Sequence, residues 1–171
     1  QGKIAGVITA PADFTPDQII EASGFVVCPG LVDLRARLRE PGQEHKGTIA
    51  SECAAAVAGG VTTLCSPPDT DPIIDNPAVA DLIRHRARWA DKARVVTLGA
   101  LTQGLHGTQL SEMHALKQAG CVGVSNALAP ITNTQVMRRA LEYAASFDLT
   151  VFLHCEDDGL SSGGCMHEGP V

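Results

Sequence analysis

The residues best suited to chemistry lie in the segment Pro29–Gly42, which reads PGLVDLRARLREPG. Asp33, Arg35, Arg37 and Arg39 occupy every second position, and residues two apart on a β-strand face the same way. If a strand continues through them, one carboxylate and three guanidinium groups share one side. Guanidinium groups bind anions through paired N–H donors, so this set is suited to an anionic ligand or to ion pairs.

A second group of candidate ligands lies near the carboxyl end of the chain. His154, Cys155, Cys165 and His167 offer nitrogen and sulfur donors, which zinc prefers. Their spacing matches no closed zinc site, and Cys155 should face away from His154 on a strand. The chain has six cysteines and no CxxC pair, and we expect buried free thiols in a reducing compartment.

The elements that must position these residues alternate between β-branched runs and helical patterns, an order typical of a parallel α/β sheet. The first connection after a strand has no glycine-rich phosphate loop, which disfavours a doubly wound nucleotide-binding sheet. We therefore predict an α/β fold with about five of the eight strands of a TIM-type barrel. The predicted strands are Lys3–Ile8, Phe25–Cys28 leading to Leu31–Leu34, Val61–Cys65, Arg94–Ala100, Cys121–Val124 and Leu149–His154.

Capping residues mark the predicted helix boundaries. Side-chain oxygens accept from free N–H groups at helix starts, and glycine commonly follows helix ends. Helices are predicted to start after Thr48, Asn76, Thr108 and Thr132, and to end at Gly59–Gly60 and before Gly120.

Two regions are predicted along the chain. Residues 1–28 would form a β segment of a small flanking β domain, and residues 29–171 the first five βα units of a barrel. The chain has 171 residues, whereas a closed barrel takes about 250. The chain also starts without methionine and ends without a strand or helix, so we expect it to be a piece of a longer protein.

Charge and hydropathy narrow the possible partners. The net charge is −6 and no basic stripe is present, which disfavours nucleic acid. The short run Arg84–Arg88 fits the solvated face of a helix. No apolar stretch approaches the roughly 20 residues of a membrane span, and we expect a cytoplasmic protein that contacts small molecules or other proteins.

The motifs taken together resemble one known family. Pro29–Gly42 is similar to the first barrel strand of the dihydroorotases of the amidohydrolase superfamily, whose pattern reads PG(L/I)VDxHxHLREPG. The resemblance continues in order through Ala56–Thr63, Pro68–Pro72, Gly99–Thr102, Leu110–Glu112, Ala119–Gly120, Arg139–Ala144, Leu153–Asp157 and His167–Pro170. It implies a TIM-type barrel and, in active members, hydrolysis of a cyclic amide by a zinc-activated hydroxide.

The chain departs from that pattern at the metal site. Arg35 and Arg37 replace the two histidines that bind the catalytic zinc in active members. Arginine has five N–H donors, no lone pair, and is not deprotonated in proteins, so it cannot ligate a metal. Asn126 replaces a carboxylate that supports the metal, while His154 matches a histidine ligand that is kept. We therefore predict a former metal site with no cofactor.

The substrate-binding positions are also altered. Asp69 stands where the family has an asparagine that contacts the substrate, so its carboxylate would oppose an anionic substrate. Arg39 matches the arginine that binds the substrate carboxylate. The remaining ligand and the catalytic aspartate of the family correspond to positions beyond Val171.

The resemblance implies a catalytically inactive dihydroorotase homologue. In some bacteria such a homologue assembles with the aspartate carbamoyltransferase catalytic chain of pyrimidine biosynthesis, and we expect a hetero-oligomer of that kind. One alternative is an active zinc-dependent dihydroorotase or cyclic amidohydrolase, with its metal held by His154 and residues outside the chain. Another is a pocket in which the three arginines bind an anionic metabolite such as a nucleotide.

Overall fold

Every strand of the sheet pairs in parallel with the next strand along the chain. The computed structural model describes residues 3–4, 6–161 and 164, and its five strands follow the order β1-β2-β3-β4-β5. A barrel has this unbroken order, whereas a doubly wound sheet reverses it part-way. The prediction of a partial TIM-type barrel is confirmed.

The strands lie close to their predicted positions. They are β1 Leu31–Asp33, β2 Val61–Ser66, β3 Arg94–Ala100, β4 Gly123–Ser125 and β5 Thr150–Phe152. The helices of the described residues are α1 Ile49–Ala58, α2 Pro77–Ala90, α3 Met113–Gln118, α4 Thr134–Ser146 and α5 Asp158–Ser161, and a 3-10 turn lies at Gln103–Leu105. No helix in the described part of the chain has the length and apolar character needed to cross a membrane.

The predicted strands before Leu31 are not found. The described residues of Lys3–Ile8 and all of Phe25–Cys28 lie outside any strand, and their side chains are exposed. β-Branched residues favour extended backbone, but a strand is stable only beside a hydrogen-bonding partner. The described residues before Leu31 contain no such partner. The division into a flanking domain and a barrel stays a prediction.

The starts of the three longest helices, α1, α2 and α4, carry side-chain caps. Thr48 and Asn76 cap α1 and α2 as predicted, and Thr48 forms a capping box with Ser51. At α4 the cap is Asn133 rather than Thr132, because the Asn133 amide oxygen accepts from two backbone N–H groups of the first turn. An amide oxygen at this position satisfies the same free donors as a hydroxyl.

The helix predicted to open at Thr108 begins later, at Met113. Thr102 and Leu110 form an isolated antiparallel bridge, which holds the intervening residues in a loop. Residues held in a bridge cannot also make the first turn of a helix. Gly120 follows the end of α3 in left-handed conformation, as its predicted role requires.

The apolar core lies in two clusters between the sheet and its helices. The larger cluster includes Leu64 of β2, Val95 of β3 and Ile83 of α2. The second joins Val124 of β4 to Ala140 of α4. The strands that lead to the candidate residues are therefore fixed by packing against the helices.

Gly123→Ala should lower the free energy of unfolding by about 1–3 kcal/mol, because overpacking at a strand pair forces the backbone to shift. A Cβ at Gly123 would lie 2.6 Å from the Thr150 carbonyl oxygen and 2.9 Å from a ring carbon of Phe152. Urea titration measures the change. The control Gly59→Ala meets nothing nearer than 3.5 Å and should change stability by less than about 0.5 kcal/mol. Equal effects of the two substitutions would contradict this packing of β4 on β5.

Candidate functional site

The candidate residues gather at the carboxyl ends of the strands. This is the end at which TIM-type barrels carry their active sites. Arg35, Arg37 and Arg39 follow β1, Asp69 follows β2, Asn126 follows β4 and His154 follows β5. Between them they line three cavities.

The three arginines do not share one side of a strand. β1 ends at Asp33, whose side chain accepts from the backbone N–H of Arg35 and turns the chain. Arg39 has φ +66°, which breaks the alternation of a strand. As a result Arg35 lines one cavity, while Arg37 and Arg39 line another. The strand does not continue through the three arginines, so they do not form one face as the alternation predicted.

Arg37 and Asp69 form an ion pair. The Arg37 Nε and Nη2 atoms donate to the same Asp69 oxygen, at 2.9 and 2.6 Å. The side chains are 36% and 24% exposed, so the pair is partly shielded from water. Asp69 therefore supplies the counter-charge of the Arg37 guanidinium group.

Arg39 lines the same cavity, which has a volume of about 310 Å³. The Gln43 side-chain oxygen accepts from Arg39 Nη1 at 3.5 Å and from Lys46 Nζ at 3.3 Å. Neither cation pairs with a carboxylate among the described residues. Sequence reasoning missed Gln43 and Lys46, although the charged loop directly after Arg39 was a signal for them.

Arg35 and His154 line a smaller cavity of about 150 Å³, together with Ser125 and Phe152 from the ends of β4 and β5. His154 Nε2 lies 2.8 Å from Glu156 Oε2. This hydrogen bond, with a second from Ser161, holds the pKa of Glu156 below its usual value. The Nε2 atom of His154 is therefore already hydrogen-bonded to a neighbouring carboxylate.

Asn126 is 3% exposed and holds two loops together. Its Oδ1 atom accepts from the Thr102 hydroxyl at 2.6 Å, and its Nδ2 atom donates to the carbonyl oxygens of Leu105 and Ala129 at 3.2 and 3.0 Å. All of these partners lie in the loops after β3 and β4. The amide is required here because one end accepts while the other donates.

Comparison with known proteins decides the family. A family model described as dihydro-orotase-like matches residues 24–171. The chain belongs to the dihydroorotase-like family.

Several relatives support this assignment. A protein named "Dihydroorotase-like protein" from Pseudomonas putida is 54% identical over 170 residues, which is 99% of this chain and 40% of the relative. One of the same name from Pseudomonas aeruginosa is 52% identical with the same coverage. A protein named "Dihydroorotase" from Solibacter usitatus is 45% identical over 98% of this chain and 39% of its own length. The chain thus spans about 40% of the length of these relatives.

Two residues of this dihydroorotase-like chain, Arg35 and Arg37, do not fit the zinc that the resemblance implies. Their guanidinium groups offer N–H donors, whereas the histidines of the family pattern offer lone pairs. Asn126 is also engaged, because its side-chain oxygen accepts from Thr102 and its side-chain nitrogen donates to Leu105 and Ala129. Residues 3–161, apart from the undescribed position 5, contain no convergent group of three His, Cys, Asp or Glu side chains. The alternative cluster of His154 and Cys155 includes Cys165 and His167, which lie outside the described residues.

The cysteines of this dihydroorotase-like chain differ in exposure. Cys53, Cys65 and Cys121 are buried free thiols, as predicted, and burial raises the pKa of Cys65 to about 11. Cys28 and Cys155 are exposed, so the expectation of burial is wrong for them. Cys28 lies in the segment without strand partners, and Cys155 follows the last residue of β5 by three positions.

The Arg37–Asp69 pair should show a coupling energy of about 1 kcal/mol in a double-mutant cycle, the upper end for a partly exposed pair. The cycle uses Arg37→Ala, Asp69→Ala and the double variant, each measured by urea titration. The coupling should shrink in molar salt, because screening weakens exposed ion pairs. The exposed pair Arg138–Glu142 on α4 serves as the comparison and should give a smaller coupling. No coupling at Arg37 would contradict the ion pair.

Proposed function

We propose that the whole protein is a catalytically inactive dihydroorotase homologue that serves as an assembly subunit with the aspartate carbamoyltransferase catalytic chain. The observation that carries the first half of this proposal is the ion pair of Arg37 with Asp69. A guanidinium group stands at a zinc-ligand position of the family, and the adjacent substrate-contact position supplies its counter-charge.

Electrostatics supports the loss of the metal. Two unit charges 4 Å apart repel by about 4 kcal/mol at an effective dielectric constant of 20, and a dication doubles this value. A Zn²⁺ ion near Arg35 or Arg37 would meet this repulsion and gain no bond from either side chain. Asp69 offsets the charge of one guanidinium group, but the Asp69 oxygen that does so is occupied by two hydrogen bonds from Arg37.

The competing function is an active zinc-dependent dihydroorotase. One observation favours it: relatives at 45–48% identity carry the printed name "Dihydroorotase". The resemblance also implies that His154 matches a ligand position. In that case His154 and residues outside this chain would hold the zinc, and His154 would have to exchange its contact with Glu156 for the metal.

Metal analysis and an activity assay separate the two functions. We expect substoichiometric zinc in the purified protein and no turnover of dihydroorotate. We also expect no activity from the double variant Arg35→His, Arg37→His, because Asp69 and Asn126 remain. Stoichiometric zinc together with turnover that chelators abolish would overturn the inactive assignment.

The partner is tested separately. The resemblance alone supports aspartate carbamoyltransferase as the partner, so the two proteins are expressed together and passed over a sizing column at micromolar concentration. Co-elution in a fixed ratio is expected. Elution as separate peaks would refute this partner and leave the conclusion about the metal site unaffected.

A further inference from the structure

A groove of about 490 Å³ lies near the amino ends of β3 and β4, at the opposite end of the sheet from Arg37 and His154. One wall is the last part of α2 with the turn that follows it, and the other is the residues leading into β4. β4 pairs with β3 only from Leu98 onward, whereas β2 pairs with β3 from Arg94. The first half of β3 therefore forms the floor of the groove instead of lying beside β4.

The groove is basic in an acidic chain. Four cations line it, Arg84, Arg88, Lys92 and Arg94, against the single carboxylate of Asp91. The whole chain has a net charge of −6. Positive charge concentrated on one face of a negatively charged protein gives a local potential that attracts anionic partners.

Three of these cations are free to bind. Arg84 pairs with Asp81 and donates to the carbonyl oxygen of Ala119, so it is already neutralised and held in place. Arg88, Lys92 and Arg94 are exposed and make no ion pair within the part of the chain that the structure describes. They project from α2, from the turn and from β3, so their charges surround the groove.

The floor of the groove is apolar. Ala87, Ala93 and Val95 line it as buried residues, and Val122 lines it with 49% of its surface exposed. A ligand that fits both features carries negative charges separated by apolar groups. A polypeptide segment with alternating acidic and apolar residues has this pattern, because its side chains point to opposite sides when it is extended.

We propose that this groove binds an acidic polypeptide segment of a partner protein, whose carboxylates pair with Arg88, Lys92 and Arg94 while its apolar side chains contact Val122 and the partly exposed Val96. Single-stranded nucleic acid is disfavoured, because its binding grooves use aromatic side chains for base stacking and the described lining has none. Trp89 lines a separate cavity. The proposal does not depend on the state of the metal site.

The test measures binding of a fluorescein-labelled peptide of alternating Glu and Val to the whole protein by fluorescence anisotropy. The groove variant is Arg88→Glu, Lys92→Glu. The control variant is Arg138→Glu, Arg139→Glu, which changes the net charge equally on the exposed face of α4. We expect roughly tenfold or greater loss of affinity in the groove variant, because like charges then face the peptide. The control should lose less than about twofold.

Three results would overturn the proposal. Absence of measurable peptide binding at micromolar protein is the first. Equal loss in the two variants is the second, because it would show attraction by net charge alone. Tighter binding of an oligouridylate than of the peptide, with the same dependence on Arg88 and Lys92, is the third, because the groove would then serve nucleic acid. Arg88→Lys keeps the charge and should retain binding, which separates a lost contact from a misfolded variant.

Discussion

Asn126→Asp, which introduces the carboxylate that the resemblance implies for active members, should lower the free energy of unfolding by about 3–5 kcal/mol at neutral pH. The amide nitrogen of Asn126 donates to the carbonyl oxygens of Leu105 and Ala129. In the variant a carboxylate oxygen would face those two oxygens in a site that is 3% exposed. An uncompensated buried charge is among the most destabilising changes a protein can carry.

The measurement is a urea titration of parent and variant, repeated at lower pH. The loss of stability should be smaller in acid, because a protonated carboxyl group has one O–H to donate and carries no charge. Asn133→Asp is the matched control, since that side chain only accepts backbone N–H groups at the start of α4. It should be neutral or slightly stabilising, because a negative charge is favourable at a helix N-terminus. Unchanged stability of Asn126→Asp would contradict the assigned hydrogen bonds of Asn126 to the two carbonyl oxygens.

Ile83→Ala should lower the free energy of unfolding by about 2–5 kcal/mol, the range for truncation of a fully buried aliphatic side chain. Ile83 lies on α2, has no exposed surface and belongs to the larger core cluster. The substitution removes its apolar contacts and leaves a cavity that neighbouring side chains fill only in part. Helix propensity cannot explain a loss, because alanine is the better helix former.

The adjacent residue supplies the control. Leu82 lies on the same helix with 37% of its surface exposed, so Leu82→Ala loses less buried area and should cost well under half as much. Both variants are compared by urea titration under one set of conditions. If Leu82→Ala were the more damaging change, the face of α2 that packs on the sheet would have been assigned incorrectly.

The local sequence was sufficient where a pattern and its structural consequence lie in the same segment. The strand Arg94–Ala100 has the predicted bounds, because its β-branched and apolar residues form a central strand with neighbours on both sides. Thr48 and Asn76 cap their helices as predicted, because a cap bonds to N–H groups two or three residues away.

The local sequence was insufficient where the outcome depended on a distant partner. Phe25–Cys28 has the composition of a strand but lies outside any strand among the described residues. Thr108 has the side chain of a cap, yet the bridge between Thr102 and Leu110 delays the helix. Phe25–Cys28 would need the hydrogen bonds of a neighbouring strand, and Thr108 is held in the loop that this bridge closes. In both cases the outcome depends on residues outside the segment that carries the pattern.

The residue types alone determined that Arg35 and Arg37 cannot ligate a metal, because the chemistry of a guanidinium group does not depend on the fold. The tertiary structure decided which arginine takes Asp69, that Arg39 turns instead toward Gln43, and that Asn126 is committed to loop carbonyl oxygens. These outcomes depend on where β1 ends and on the backbone conformation of Arg39, which the alternation of residue types along a strand does not specify. Side-chain chemistry is a property of the residue, whereas the choice among partners follows from the path of the backbone.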